Sequence, residues 1–210
     1  MDPNVRDARR KLAAECIRYL RDNGFTADYY ETAEDALNDL KQQIPAGSSI
    51  GFGGSETLKE TGIIGWLTGN PDYTVFDRYH TDDMRKVFLQ SLTADCYLMS
   101  TNALTVDGHL YNVDNTGNRV AALCYGPGQV FVIAGTNKLV RNIEEAVIRN
   151  EDIAAPANNI RLNRPNPCAQ LRHCVHCSTP ATLCNQFVVT KRSMPEGRIQ
   201  ILLINEDLGY

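Results

Sequence analysis

The chain has 210 residues, 43% of them apolar and 22% charged, with a net charge of −4. That length supports one domain with a core that needs no staples, and the acidic balance excludes non-specific nucleic-acid binding, which requires a basic footprint. No apolar run approaches the roughly 18 residues of a membrane span, and the charged start from Met1 to Lys11 lacks the apolar core of a secretory signal. A cytoplasmic protein is therefore expected, with its seven cysteines as thiols or metal ligands and not disulfides.

In chain order, residues 3–23 read as a helix with Ala8, Leu12, Cys16, Ile17 and Leu20 on one face and Asn23-Gly24 as its stop. Thr32 is placed to cap a second helix, Ala33 to Gln43, which ends before Pro45. Ser48 to Phe52 is a short buried strand running into a glycine-rich turn. Tyr73 to Phe76 is a strand candidate, and Thr81 to Leu92 a helix with Asp82 and Asp83 in its first turn. Cys96 to Met99 is a buried strand, and Val106 to His109 a tight turn or hairpin. Gly117 to Cys124 reads as a helix, Gln129 to Ala134 as a strand, Asn142 to Arg149 as a helix and Arg198 to Ile204 as a last strand. Strands that are continuous apolar runs alternating with helices predict a doubly wound, mostly parallel sheet covered on both faces. The expected organisation is one α/β domain over residues 1–210, with 155–185 as a cysteine-rich appendage.

Three segments carry chemistry. The first is the turn Gly51, Phe52, Gly53, Gly54, Ser55, Glu56, Thr57, which follows a strand and opens a helix. Glycines permit close backbone approach and free N–H groups attract anions. The turn is neither a Walker A loop nor the dinucleotide fingerprint, and a plain turn with Ser55 as cap also accounts for it. A ligand is nevertheless expected, because ligands sit at strand ends in such sheets.

The second runs from Ser100 to Arg119. Asn102, Asp107, Asn112, Asp114, Gly117, Asn118 and Arg119 supply donors and acceptors where a strand ends. Arg119 can clamp a carboxylate or phosphate, and Asp107 or Asp114 can act as a base. Ordinary turn chemistry explains Asp107-Gly108 as well or better.

The third holds Cys168, Cys174, Cys177 and Cys184, four thiols within 17 residues. Such a set suits an iron–sulfur cluster, expected as [4Fe–4S], or structural zinc. All-sulfur ligation, the asymmetric spacing and the nearby Arg161, Arg164 and Arg172 favour the cluster; free thiols or a Cys174–Cys177 redox pair stay open. His173 and His176 are set aside as ligands, and Cys16, Cys96 and Cys124 are read as core packing.

Taken together, the chain resembles the lactate-utilisation (LUD) domain family. The resemblance lies in Gly51 to Thr57, Thr101 to Asn112, Asp114 to Ala122, Tyr125 to Pro127, Val130 to Gly135 with Asn137-Lys138, Ala155 to Asn158, and Glu206 to Gly209. It implies a fold similar to ribose-5-phosphate isomerase, glucosamine-phosphate deaminase and the coenzyme A transferases, with the glycine-rich turn and the central polar block forming the ligand site. It further implies a part in oxidising L-lactate to pyruvate as one subunit of an iron–sulfur system with redox protein partners. A non-redox protein of the isomerase and transferase superfamily, binding a carboxylate or phosphorylated ligand and stapled by zinc, is the alternative. The resemblance supplies no catalytic residue, and a homodimer is compatible with it.

Overall fold

In the computed structural model, which describes residues 2–210, the helices and strands alternate much as the sequence patterning predicts. The ranges are α1 Pro3–Asp22, β1 Thr26–Tyr30, α2 Ala33–Gln43, β2 Ser49–Phe52, α3 Glu56–Glu60, α4 Ile63–Leu67, β3 Thr74–Phe76, α5 Met84–Ser91 and β4 Cys96–Met99. They continue as β5 Ala103–Thr105, β6 Leu110–Asp114, α6 Asn118–Cys124, β7 Gln129–Gly135, β8 Leu139–Val140 and α7 Ile143–Arg149. The last are α8 Ala155–Arg161, α9 Pro167–Leu171, β9 Gln186–Thr190 and β10 Ile199–Ile204.

Six strands form an all-parallel sheet in the order β1-β10-β7-β4-β2-β3. Side chains along each strand alternate between two cores. Val130, Val132, Ile199, Ile201, Leu203, Tyr97 and Met99 meet Ala13, Cys16, Ile17 and Leu20 of α1 and Ala122 and Leu123 of α6. Phe131, Ile133, Leu202, Ile204, Leu98, Ile50 and Phe52 meet Ala36 and Leu40 of α2, Leu58 of α3 and Ile63 and Leu67 of α4. Burial on both faces explains the continuous apolar runs. The fold is therefore α/β and doubly wound, as the sequence predicts.

A second sheet, β8-β5-β6-β9, rises from the end of β4. The β5–β6 hairpin turns at Asp107-Gly108, and α7 backs this sheet through Ala146 against Ala103, Tyr111 and Val113. The strands of this sheet are only two to five residues long and carry polar residues such as Thr105 and Asn112, which conceals it in the sequence. The edge strand β1 is also unforeseen, because only Ala27 among its residues is buried.

Smaller differences have local causes. The buried face of α1 uses Ala13, leaving Leu12 and Ala8 exposed. Asp83 caps α5 by accepting from Lys86 N, so that helix starts at Met84 and not at Thr81. Cys16 and Cys96 are buried, but Cys124 ends α6 in solvent and is not a core residue. Residues 155–185 are partly helical, in α8 and α9. No helix among the described residues is long and apolar enough to cross a membrane.

Candidate functional site

Strand β2 leads by α3 and α4 outward to β3, whereas β4 leads by the second sheet and α6 inward to β7. Diverging connections at neighbouring parallel strands open a crevice at their carboxyl ends, where α/β proteins bind ligands. A cleft of about 390 Å³ lies there. Its walls come from the β2–α3 turn and the start of α3 (Gly54, Ser55, Glu56, Thr57), the segment after β4 (Ser100, Thr101, Asn102), the end of β6 (Asp114), the start of α6 (Asn118, Arg119), and α8. A second, more open depression of about 600 Å³ lies at the amino ends of the strands. Asp95 there binds Ser49 N and Oγ, and Arg198 binds three backbone carbonyls, so its charges serve the fold.

The predicted site residues divide into two groups. Gly54, Ser55, Glu56, Thr57, Asn102, Asp114, Asn118 and Arg119 line the cleft. Gly51, Gly53, Asp107, Asn112 and Gly117 do not. At Gly51 a Cβ would stand 2.6 Å from Ser91 Cβ, so that glycine admits α5 and not a ligand. Gly53 likewise admits Arg119 Cδ, at 3.3 Å from its would-be Cβ. Asp107 accepts from Thr105 Oγ1 and lies 3.4 Å from His109 Nδ1 in the exposed hairpin turn beside the end of α1. Gly117 takes φ +81° just before α6, the left-handed backbone that favours glycine.

Arg119 is held as a strut. Its guanidinium donates to Ser100 O at 3.0 Å, Asn102 Oδ1 at 3.0 Å, Val113 O at 2.8 Å and Asn112 Oδ1 at 2.5 Å. Asp114 accepts from the Arg119 and Val120 N–H groups at 3.1 Å, which caps α6. The central polar block therefore braces itself more than it reaches outward. Ser55 caps α3 by accepting from Leu58 N at 3.2 Å.

Several further residues line the cleft, of which the sequence draws notice to Arg161 and Arg164, as counter-charges to the thiols. Arg78 lies over Phe88 (5.2 Å) and Tyr79 (5.9 Å) beside Gly54, and it pairs with no carboxylate among the described residues. Arg161 reaches Glu56 at 3.3 Å and also binds Asn158 and Tyr210. Lys138, in a 3-10 turn after β7, is 2% exposed. Its Nζ donates to Thr57 Oγ1 at 2.9 Å, Ser100 Oγ at 3.0 Å and Thr101 O at 3.3 Å. Burial, then the nearby Arg149 and Arg119, bring it down to about 7. The family resemblance includes Asn137-Lys138 but gives Lys138 no role; its place in the fold reveals one.

Of the four thiols in the cysteine-rich segment, one, Cys184, lines the cleft. It is pushed up to about 11, first by burial and then by the neighbouring Cys174, Cys168 and Cys177 and by Glu151. Cys168 is raised by burial and by Cys177 and Cys174. Raised thiols such as Cys168 and Cys184 carry a cost of ionisation that a bound metal would relieve. The His176 N–H donates to Cys174 Sγ at 3.3 Å, with His176 in the left-handed region at φ +50°. A π-helical turn, Asn150–Ala154, joins α7 to α8 and faces both ways. Asn150 accepts from Asn102 Nδ2 at 3.2 Å in the cleft, while Glu151 O accepts from Cys174 N at 3.1 Å. Glu151, Cys174 and His176 bring one ligand atom each within 4.8 Å of one another. Arg172 ends α9, exposed and in left-handed backbone at φ +66°.

An open parallel sheet with a polar, cation-bearing crevice at its switch point defines an α/β protein of the doubly wound ligand-cleft class. The LUD domain pattern matches residues 13–204, and the chain belongs to the LUD domain family. Among solved structures, it is similar to a DUF162 family protein from Deinococcus radiodurans, with TM-score 0.54 and 16% identity over 94% of this chain and 98% of that one. That likeness concerns the fold. A further overlap, with eIF2B delta from Chaetomium thermophilum, has TM-score 0.36 and 16% identity over 55% of this chain and 50% of that one. No curated protein gives a significant sequence match.

Proposed function

We propose that this single-domain LUD protein is a cytoplasmic redox component of small 2-hydroxy acid metabolism, with L-lactate as the first candidate. In this reading it holds a [4Fe–4S] cluster on Cys168, Cys174, Cys177 and Cys184. The observation that carries the reading is the double position of Cys184, a member of the thiol group and a wall of the cleft. A ligand in the cleft would then lie against the metal centre. The cluster, when bound, would supply one-electron transfer to a protein partner.

The chain's own residues support a carboxylate ligand. Arg78 offers a guanidinium unpaired with any carboxylate among the described residues, and guanidinium groups suit carboxylates. Thr57, Ser100 and Asn150 place hydroxyl and amide groups around the interior. Anaerobic purification followed by metal analysis and a visible spectrum tests the centre. Roughly four irons per chain with broad absorbance are expected. A colourless protein free of iron would overturn the redox reading.

One observation favours zinc as a second reading. Zinc takes mixed sulfur, nitrogen and oxygen donors, and Glu151, Cys174 and His176 bring one such atom each within 4.8 Å of one another. One zinc per chain would support it and make the protein a non-redox member of the isomerase and transferase superfamily.

A further inference from the structure

Lys138 stands apart from the thiols and from the struts. It lines the cleft floor, and its partners are two hydroxyls and one carbonyl, with no carboxylate at ion-pair distance among the described residues. A buried ammonium beside two guanidinium groups and without a paired anion is costly. Sites with such an uncompensated cost are where functional groups concentrate. The cradle also suits more than one charge state. A hydroxyl accepts from an ammonium and donates to a neutral amine with equal ease, whereas a carboxylate would lock the ammonium. Burial and the flanking Arg149 and Arg119, opposed only by Glu60, keep a sizeable share of Lys138 neutral at neutral pH. A desolvated amine next to cationic groups is an activated nucleophile for carbonyl carbon.

We propose that Lys138 forms a reversible imine with a 2-oxo acid held in the cleft. This rests on the reading above that the cleft takes a small carboxylate, and a 2-oxo acid is what oxidation of a 2-hydroxy acid yields. The neutral Nζ adds to the ketone carbon, forming the N–C bond as the C=O bond opens to a carbinolamine. The C–O bond then breaks, and the oxygen leaves as water with the two hydrogens of the amine, leaving N=C. Nothing is oxidised or reduced. Thr57 Oγ1 and Ser100 Oγ, at 2.9 Å and 3.0 Å from Nζ, are placed to pass the protons. Arg78 is the cation left to hold the carboxylate.

The test is brief exposure of the intact protein to pyruvate and cyanoborohydride, followed by peptide mass mapping. Pyruvate binding is measured in parallel by ligand-observed NMR without reductant. The expected result is an adduct of one pyruvic acid less one oxygen on Lys138, ahead of Lys11, Lys41, Lys59, Lys86 and Lys191. Lys138→Arg should abolish it, and Thr57→Val should slow it with Lys138 still present. Saturable pyruvate binding with no adduct at Lys138 would overturn the imine alone. Neither binding nor adduct would overturn the carboxylate reading as well. Labelling at equal rates on all lysines would also overturn the imine.

Discussion

Arg119 donates four hydrogen bonds inside the protein and Lys138 three, yet the two cations differ in what they do. Every Arg119 bond ends on the second sheet or the end of β4. Arg119→Met should therefore lower stability by about 3 kcal/mol or more, the usual cost of breaking a buried polar network, as read from thermal or denaturant unfolding. Lys138 makes a different prediction through pH. Its folded value is lowered to about 7 from the ordinary 10.5. Between those values the unfolded chain holds the extra proton, so wild-type stability rises with pH there. Below about 7 both states are protonated and the burial cost is full. The Tm of wild type minus that of Lys138→Met should thus increase between about pH 6 and about pH 9. An unchanged difference would mean that Lys138 keeps its ordinary affinity for protons. The legibility of these residues follows from their neighbours in sequence. Arg119 ends a dense polar run and draws notice, although as a ligand clamp and not as the strut it is. Lys138 becomes a site residue only through partners 81 and 38 positions away, which no local pattern displays.

Gly51, in β2, and Gly54, in the turn that follows it, answer to different demands. At Gly51 an added Cβ meets Ser91 Cβ at 2.6 Å and Ser91 Cα at 2.9 Å. Gly51→Ala should cost about 1–3 kcal/mol by overpacking, without altering ligand affinity per folded molecule. At Gly54 it meets only the tip of Arg78, at 3.1 Å from NH1. Gly54→Ala should leave stability within about 0.5 kcal/mol but shift Arg78 and weaken pyruvate binding about tenfold, the worth of one charge-assisted hydrogen bond. Equal affinities for wild type and Gly54→Ala would remove Arg78 from the site. The sequence makes the strand, the turn and the Ser55 cap legible, because each has a local signature. It does not show which glycine faces a helix and which a cleft, since that depends on α5 lying across β2. Strand β9 escapes notice for a related reason: its alternating Phe187 and Val189 are exposed at a sheet edge.

Across the molecule, the large parallel sheet and the thiol segment differ in what holds them. The sheet is packed on both faces by the two cores. The 172–185 segment is without helix or strand and is mostly exposed or half-buried. If the thiols hold a metal as proposed, removing it with a chelator, or by oxidation of a cluster, should raise hydrogen exchange in residues 172–185 while β4, β7 and β10 stay protected, because metal binding and local folding are linked. Uniform protection in both states would argue that the thiols hold no metal. The doubly wound sheet was readable from apolar runs alone, and the four cysteines stood out as candidate metal ligands by their number. The link between their segment and the cleft was not readable, because it is made by the π-helical turn, one register slip in a helix that aims Asn150 one way and Glu151 the other. That slip has a thermodynamic consequence. With the cleft and the thiols sharing Cys184 and a single turn of backbone, occupancy of one and occupancy of the other form a closed cycle. Whatever factor a bound acid adds to the hold on metal, the metal must add to the hold on the acid. Were a metal held there, affinities measured on metal-stripped protein would differ from those of the loaded protein by that same factor.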